Sequence, residues 1–232
     1  MAKKEGIRKL FDNIAPDYDK LNHILSLNID KGWRRKAVRE IADSDKPLAV
    51  LDVACGTGDF TIEIARKVAC GSQITGIDLS EGMMKVGREK IAAAQVDATL
   101  EYGDCEALTY ADDTFDRISV GFGVRNFEHL QQGYAEMYRV LAKDGVLCVI
   151  ELSVPTNPII KAFYNLYTST LIPLVGKMIS KDRRAYSYLP ESIAAVAQGE
   201  EMLEIMRRAG FVNCRFKRLT FGTCTIYMGE KA

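Results

Sequence analysis

From residue 48 onward the chain alternates short apolar runs with amphipathic stretches, and the two spacings predict two kinds of element. The runs at 48–54, 73–78, 98–103, 115–121 and 145–152 have strand length, whereas 59–69, 81–95 and 128–142 carry apolar residues at helical spacing. Such alternation calls for a parallel sheet covered on both faces, because each crossover helix buries its apolar stripe against the strands. The end of the chain breaks this rhythm. Phe211 to Leu219 and Thr223 to Gly229 are strand-like runs separated by a few residues that include Gly222, which predicts an antiparallel hairpin. The fold class is therefore α/β: a doubly wound, mostly parallel sheet that ends in an antiparallel pair.

Two further segments attach to this frame. Residues 5–46 read as helical, with Ile7, Leu10, Phe11 and Ile14 at helical spacing, Pro16 as a break, and a second piece running through Trp33 and Ile41. Residues 153–198 form an insertion after the fifth strand, with Pro155, Pro158, Pro173 and Pro190 set among apolar side chains. Ile159, Ile160, Phe163, Leu166, Tyr167, Leu171, Ile172, Leu174, Val175, Met178 and Ile179 give it more apolar surface than a solvent-facing cover needs. It fits either a lid on the sheet edge or a greasy pocket and membrane-facing surface. A chain of 232 residues with 47% hydrophobic side chains is expected to form one domain over 1–232, with 1–46 as a helical cap.

Charge and composition narrow the partners. Lys+Arg and Asp+Glu both number 31, so no overall positive field recruits nucleic acid. The six cysteines include no CxxC pair, and Cys55, Cys105, Cys148 and Cys224 fall in strands or strand-end turns, as in a reduced, cytoplasmic protein. The polar start lacks the apolar core of a signal peptide, and no run of apolar residues is long enough to span a bilayer, so membrane contact is expected to be peripheral. His23 and His129 are the only histidines and have no ligand-type neighbours at metal spacing in the chain; no metal is expected, and a Ser-His-Asp hydrolase is disfavoured.

Candidate chemistry concentrates after the first strand, where Asp52 is followed by Ala54-Cys55-Gly56-Thr57-Gly58 and a helix start. Glycines let the backbone approach a ligand, and a helix N-terminus offers unpaired N–H groups to an anion. Alone, this turn equally fits an ordinary strand-to-helix connection. Asp78, however, ends the second strand twenty residues past Gly58, where α/β cofactor folds place the acid that binds ribose hydroxyls. A dinucleotide fingerprint would need Gly or Ala at position 61, and Thr61 stands there instead.

The run resembles the first motif of class I S-adenosylmethionine-dependent methyltransferases, and the terminal hairpin resembles the end of their seven-stranded sheet. That resemblance implies S-adenosyl-L-methionine as co-substrate. Asp52 then lies near its amino group, Gly56, Thr57 and Gly58 accommodate the amino-acid side, Asp78 takes the ribose, and Leu79 with Met83 or Met84 packs on adenine. In the segment Gly103-Asp104-Cys105-Glu106-Ala107-Leu108, Asp104 and the backbone N–H of Cys105 would read the adenine edge. The match narrows further at Tyr18-Asp19-Lys20-Leu21-Asn22, Ser26, Trp33, Phe122-Gly123-x-Arg125-Asn126, Arg139-Val140-Leu141, Gly145, Glu151-x-Ser153 and Tyr188-Leu189-Pro190-Glu191-Ser192. These are similar, over nearly the whole chain, to the menaquinone/ubiquinone biosynthesis C-methyltransferase family. Departures from the family pattern are Leu21, Asp30, Ala142-Lys143-Asp144, and Gly121 at a position where a serine often contacts the cofactor.

The resemblance implies transfer of a methyl group to a ring carbon of a polyprenyl demethylmenaquinol, or alternatively of a ubiquinone-pathway benzoquinol. Tyr18, Arg125 and Asn126 are the expected polar groups at the quinol head, with Arg125 stabilising a phenolate because a guanidinium stays protonated. A structural salt bridge at Arg125 and an N-cap at Asn126 before Glu128 are the competing reading. The apolar insertion would receive the tail, and Arg34-Arg35-Lys36 with Arg39, and Lys181 with Arg183-Arg184, could meet anionic headgroups or simply be solvated helix faces. Rival functions are an NAD(P)-dependent reductase, a non-catalytic cofactor-binding subunit at the membrane, and an enzyme of the same class acting on another lipid or on RNA.

Overall fold

The structure is a computed structural model that describes residues 4–171 and 183–232, with the side chains of Leu171 and of residues 183–187 left aside. Its frame is a seven-stranded sheet of β1 (Ala49–Val53), β2 (Gln73–Asp78), β3 (Thr99–Tyr102), β4 (Phe115–Gly121), β5 (Leu141–Leu152), β6 (Val212–Leu219) and β7 (Cys224–Glu230). The order is β3-β2-β1-β4-β5-β7-β6. β1 to β5 pair in parallel, and β7 lies antiparallel between β5 and β6. The order reverses at β1 and β4, so a crevice opens outside their C-terminal ends.

The helices are α1 (Lys4–Ile14), α2 (Tyr18–Leu25), α3 (Ile29–Ile41), α4 (Asp59–Ala65), α5 (Glu81–Ala94), α6 (Leu130–Val140), α7 (Pro158–Leu166), α8 (Arg183–Ala195) and α9 (Glu200–Arg208). One sheet face packs on α6 and α9 through Tyr134, Met137, Val140, Met202 and Met206, all fully buried. The other packs on α3 and α4 through Trp33, Ala37, Val38, Ile41, Phe60 and Ile64. Residues 5–46 were expected outside the cofactor fold, yet α3 is itself a covering helix of the sheet. Only α1 and α2 lie across its edge. Pro16 sits in a 3₁₀ turn over Ala15–Asp17, and a second break at Leu27 and Asn28, both with positive φ, separates α2 from α3.

Three boundaries differ from the sequence pattern for local reasons. β5 begins at Leu141, because Leu141 pairs with Phe115 before a register shift between Phe115 and Arg117. α6 begins at Leu130 and not 128, since the backbone N–H groups of Glu128 and His129 donate to the Glu106 carboxylate instead. α4 stops at Ala65, and Lys67 and Val68 close its last turn on the carbonyl of Ile64. In the insertion, Ile172, Pro173, Leu174, Val175, Met178, Ile179 and Lys181 lie outside the described residues.

Candidate functional site

The C-terminal ends of β1, β2, β3 and β4 come together at the crevice. After β1 the chain turns through Ala54, Gly56 and Gly58, all at positive φ, and enters α4. Gly58, with φ of 75°, is the helix N-cap, a conformation that a side chain at Cβ disfavours. Asp78 clamps this turn: one carboxylate oxygen accepts from Gly56 N at 2.9 Å and the other from Ser80 N at 2.8 Å. Burial pushes its carboxyl upward, only partly offset by those backbone donors. Asp52 is fully buried and accepts from the hydroxyls of Thr61 and Ser119, each at 2.6 Å. Burial outweighs those two bonds and pushes its pKa up to about 6.

These groups border a cleft of about 90 Å³ lined by Gly56, Asp78, Leu79, Met83, Cys105, Gly121 and Asn126 among others. Of the two methionines, Met83 reaches the cleft and Met84 is wholly in the core with Ile91 and Leu100. Asp52, Thr57 and Gly56 border a smaller adjoining space with Tyr18. Asp104 is engaged by Lys4 Nζ at 2.6 Å and accepts from Glu106 N at 3.0 Å. Gly121 has a steric reason: a Cβ there would lie 2.8 Å from the Phe60 ring. Phe60 thus fills the space where a serine would project.

α1 lies over the cleft as a lid, held there by contacts that the helical spacing of 5–14 does not disclose. Asp12 accepts from Ser80 Oγ at 2.6 Å and from Gly82 N at 3.0 Å, at the start of α5. Lys4 reaches both Asp104 and the buried Glu106. Arg8 also lines the cleft, and its Nε is a buried donor with no hydrogen-bond partner among the described residues. The lid continues into α2, where Asp19 accepts from Thr57 Oγ1 at 2.5 Å and meets Lys90.

A second, larger cavity of about 370 Å³ opens beside the cleft, with walls from α2, α3, α7, α8 and the β6–β7 turn. Its lining includes Leu25, Trp33, Leu152, Phe163, Tyr164 and Ile193, so it is mainly apolar. Tyr18 and Phe122 border both cavities. Phe122 has φ of 59°, unusual for a bulky residue, and its ring packs against Trp33 and under the Arg34 guanidinium.

Arg125 does not reach either wall. Its guanidinium lies behind Phe122, bonded to the Phe122 carbonyl and paired with Glu151 at 2.7 Å, and its Nε is buried without a partner. Asn126 lines the cleft and accepts from Tyr188 Oη at 2.7 Å, and it does not cap the following helix, whose N-cap is His129. Tyr18 sits where α2 meets both cavities, and loss of water raises its hydroxyl pKa, partly offset by Arg125 and Asn22. Arg34, expected on an outward basic cluster, is buried instead, 2.6 Å from Asp30 and 3.1 Å from Asp59. Folding also brings His23, Asp30 and Asp59 within 4.8 Å, a grouping that chain spacing could not show. Arg34 already pairs with both of these carboxylates.

A model of the ubiE/COQ5 methyltransferase family matches residues 1–231. A Bacteroides fragilis protein named demethylmenaquinone methyltransferase is 47% identical over 99% of this chain and 94% of its own. A Geobacter sulfurreducens protein named ubiquinone/menaquinone biosynthesis C-methyltransferase is 42% identical over 99% of this chain and 90% of its own. Among solved structures, a Thermotoga maritima SAM-dependent methyltransferase, possibly a histamine N-methyltransferase, superposes with a TM-score of 0.69 at 16% identity, covering 97% and 99% of the two chains. The [4+2]-cyclase SpnF gives 0.72 at 16% identity, over 97% and 94%. These two likenesses speak to the fold, which carries more than one chemistry. Identity with the bacterial relatives extends over the full chain, and with it the chain belongs to the ubiE/COQ5 methyltransferase family.

Proposed function

We propose that this protein transfers a methyl group from S-adenosyl-L-methionine to a ring carbon of demethylmenaquinol, giving menaquinol. The observation that carries this reading is the meeting of a polar cleft at the strand ends and a larger apolar cavity at Tyr18 and Phe122. A polyprenyl quinol has a flat polar head and a greasy tail, and the two spaces match those two parts.

The residues fit the cofactor. Asp78 offers carboxylate oxygens to ribose hydroxyls, Met83 and Leu79 offer apolar surface to adenine, and Asp104 with Cys105 N–H suits the adenine edge once Lys4 is displaced. The unpartnered Arg8 Nε is a donor for the amino-acid carboxylate, and Asp52 supplies negative charge toward its ammonium. When bound, S-adenosylmethionine supplies an electrophilic methyl group on a sulfonium. A cleft of about 90 Å³ is small beside the roughly 300–1,000 Å³ of ordinary ligand pockets, so α1 must lift for entry and close afterwards.

At the acceptor, Tyr18 and Asn126 hold ring oxygens, and the buried positive charge of Arg125 favours the phenolate form from behind Phe122. The phenolate raises electron density at the adjacent ring carbon, and Tyr18 and Phe122 hold the ring edge-on to the cleft. The ring proton lost after methylation restores aromaticity, so one proton leaves per turnover. Closure by α1 and α2 excludes water while the charge is cancelled.

Membrane contact belongs to the same reading. Leu27, Ile159, Phe163, Leu166 and Phe221 are 73%, 68%, 69%, 60% and 79% exposed. Leu27 and Phe163 also line the apolar cavity, so the exposed apolar side chains continue into it. No described helix is long and apolar enough to cross a membrane, so the chain would bind the surface peripherally.

The test is incubation of purified protein with S-adenosylmethionine and short-chain demethylmenaquinol, followed by mass spectrometry. A quinol heavier by one CH₂, methylated on carbon, is expected. No such product from protein that binds S-adenosylhomocysteine would overturn the reading. A benzoquinol assayed in parallel decides between the two quinone classes that the Geobacter relative's name covers.

A further inference from the structure

The 153–198 insertion contributes one polar contact to the edge of the cofactor cleft. Tyr188, on α8, donates its hydroxyl to Asn126 Oδ1 at 2.7 Å across 62 residues of sequence. Asn126 lies in the 3₁₀ turn Val124–Asn126 that follows β4 and lines the cleft. A carboxamide has one acceptor end and one donor end, so a bond that occupies Oδ1 fixes which end faces the ligand. On the neighbouring turns of the same helix, Leu189 and Ile193 line the apolar cavity. Leu189 also packs, as Leu25 and Tyr167 do, against Leu21, tying α8 to α2. Burial keeps the Tyr188 hydroxyl protonated above the ordinary tyrosine range, so it remains a donor.

We propose that Tyr188 is a positioning residue: it holds the Asn126 carboxamide with Nδ2 turned to the acceptor's ring oxygen, and so couples seating of the apolar tail to orientation of the head. This rests on the quinol reading above. The tail settles α8 through Leu189 and Ile193, α8 carries Tyr188, and Tyr188 sets the donor that the head requires. Binding energy from the tail is thereby used at the ring.

The experiment is a double-mutant cycle of Tyr188→Phe and Asn126→Ala in the full chain, with two readouts. Trp33 is the sole tryptophan and lines the apolar cavity, so quenching of its fluorescence by oxidised, short-chain demethylmenaquinone reports acceptor affinity without turnover. Turnover with the corresponding quinol gives kcat and KM. Tyr188→Phe is expected to lower kcat about tenfold, equal to about 1.4 kcal/mol and the scale of one hydrogen bond, and to weaken quinone binding without changing KM for S-adenosylmethionine. The double variant is expected to be no worse than Asn126→Ala. Tyr188→Phe should also shrink the kcat advantage of a prenylated over an unprenylated naphthoquinol.

Losses that multiply independently, or a Tyr188→Phe protein indistinguishable from the parent, would overturn the proposal. If Tyr188→Phe does not melt cooperatively, Asn126→Asp decides: it keeps an acceptor for Tyr188 but has no donor, and full activity would overturn the proposal while loss equal to Asn126→Ala supports it. Quenching of Trp33 by the quinone with no methylated product would refute the reaction instead, and coupling in the quinone Kd would still judge Tyr188.

Discussion

Arg125 and Glu151 form an ion pair at 2.7 Å whose side chains are only 5% and 2% exposed. Glu151 also accepts from the Arg125 backbone N–H at 3.2 Å, so one carboxylate fixes both the turn after β4 and the guanidinium beyond it. Removing one partner of such a pair strands the other charge and costs roughly 3–5 kcal/mol. Arg125→Ala alone therefore confuses folding with chemistry. Arg125→Ala combined with Glu151→Gln removes the stranded charge, and this protein is expected to melt near the parent and bind S-adenosylhomocysteine normally while kcat falls at least a hundredfold. Parent-like kcat would take Arg125 out of the reaction and leave it a structural support of Phe122.

Asp52 gives a pH dependence with a definite sign. Its pKa is raised from 3.8 to about 6 by burial, against the bonds from Ser119 and Thr61. A raised carboxyl contributes stability below its unfolded value, and that contribution is lost as pH rises through about 6. At about 1.4 kcal/mol per unit, this is on the order of 3 kcal/mol. Asp52→Asn should accordingly raise the melting temperature at pH 8 and change it little at pH 4. Ionised Asp52 favours a cationic ligand, so S-adenosylmethionine affinity should tighten between pH 5 and 7 in the parent and stay flat in Asp52→Asn. Calorimetric titrations across that range check both, and equal slopes would show that Asp52 does not sense the cofactor.

Much of the frame was legible because its signals are local. The β1 turn, Asp78 and the terminal hairpin each depend on residues near one another in the chain, and glycine spacing or strand periodicity reports them directly. The lid was not. Lys4, Arg8 and Asp12 follow one another at four-residue intervals along α1, and only tertiary placement brings them to Asp104, the cleft and Ser80. Arg34 was misassigned for the same reason. Within a basic run it looks solvated, but Asp30 one turn earlier and Asp59 from α4 draw it inside. Tyr188 belongs to the run Tyr188-Leu189-Pro190-Glu191-Ser192, yet its partner Asn126 lies on another element, beyond the reach of spacing.

The lid contacts predict a kinetic effect. Asp12 fastens α1 to the start of α5 through Ser80 Oγ and Gly82 N. Asp12→Ala removes both bonds, so stopped-flow traces should show faster association and faster release of S-adenosylhomocysteine, with the release rate rising more. Arg8→Ala should instead weaken affinity by about tenfold with little change in association if its guanidinium is the donor proposed for the amino-acid carboxylate. Identical kinetics in the Asp12 variant and the parent would mean that α1 does not gate the cleft.

Gly121 tests whether Phe60 explains the missing serine. A Cβ at position 121 would come within 2.8 Å of the Phe60 ring, and overpacking of this kind costs about 1–3 kcal/mol. Gly121→Ser should therefore destabilise the protein in urea melts. Adding Phe60→Leu should restore part of the loss despite deleting core volume, which gives a favourable coupling energy where two independent lesions would give none. Additive losses would place the requirement for glycine elsewhere.

The exposed apolar residues near the large cavity give the last prediction. Leu27 is held outward by positive φ at both Leu27 and Asn28, and it is 73% exposed. Phe163 on α7 is 69% exposed and also lines the cavity. Both side chains are mostly exposed, so Leu27→Ser with Phe163→Ser should change the melting temperature by little while weakening attachment to a lipid surface by the apolar area removed. Exposed Arg35, Lys36 and Arg39 on α3 add attraction to anionic headgroups if that helix faces the same surface. Sedimentation with phosphatidylcholine vesicles, with and without phosphatidylglycerol, separates the two contributions. The double serine variant should lose binding to both vesicles, and it should keep its kcat on short-chain quinol in detergent while losing activity on long-chain quinol embedded in vesicles. Equal vesicle activity for variant and parent would show that the acceptor does not enter past Leu27 and Phe163.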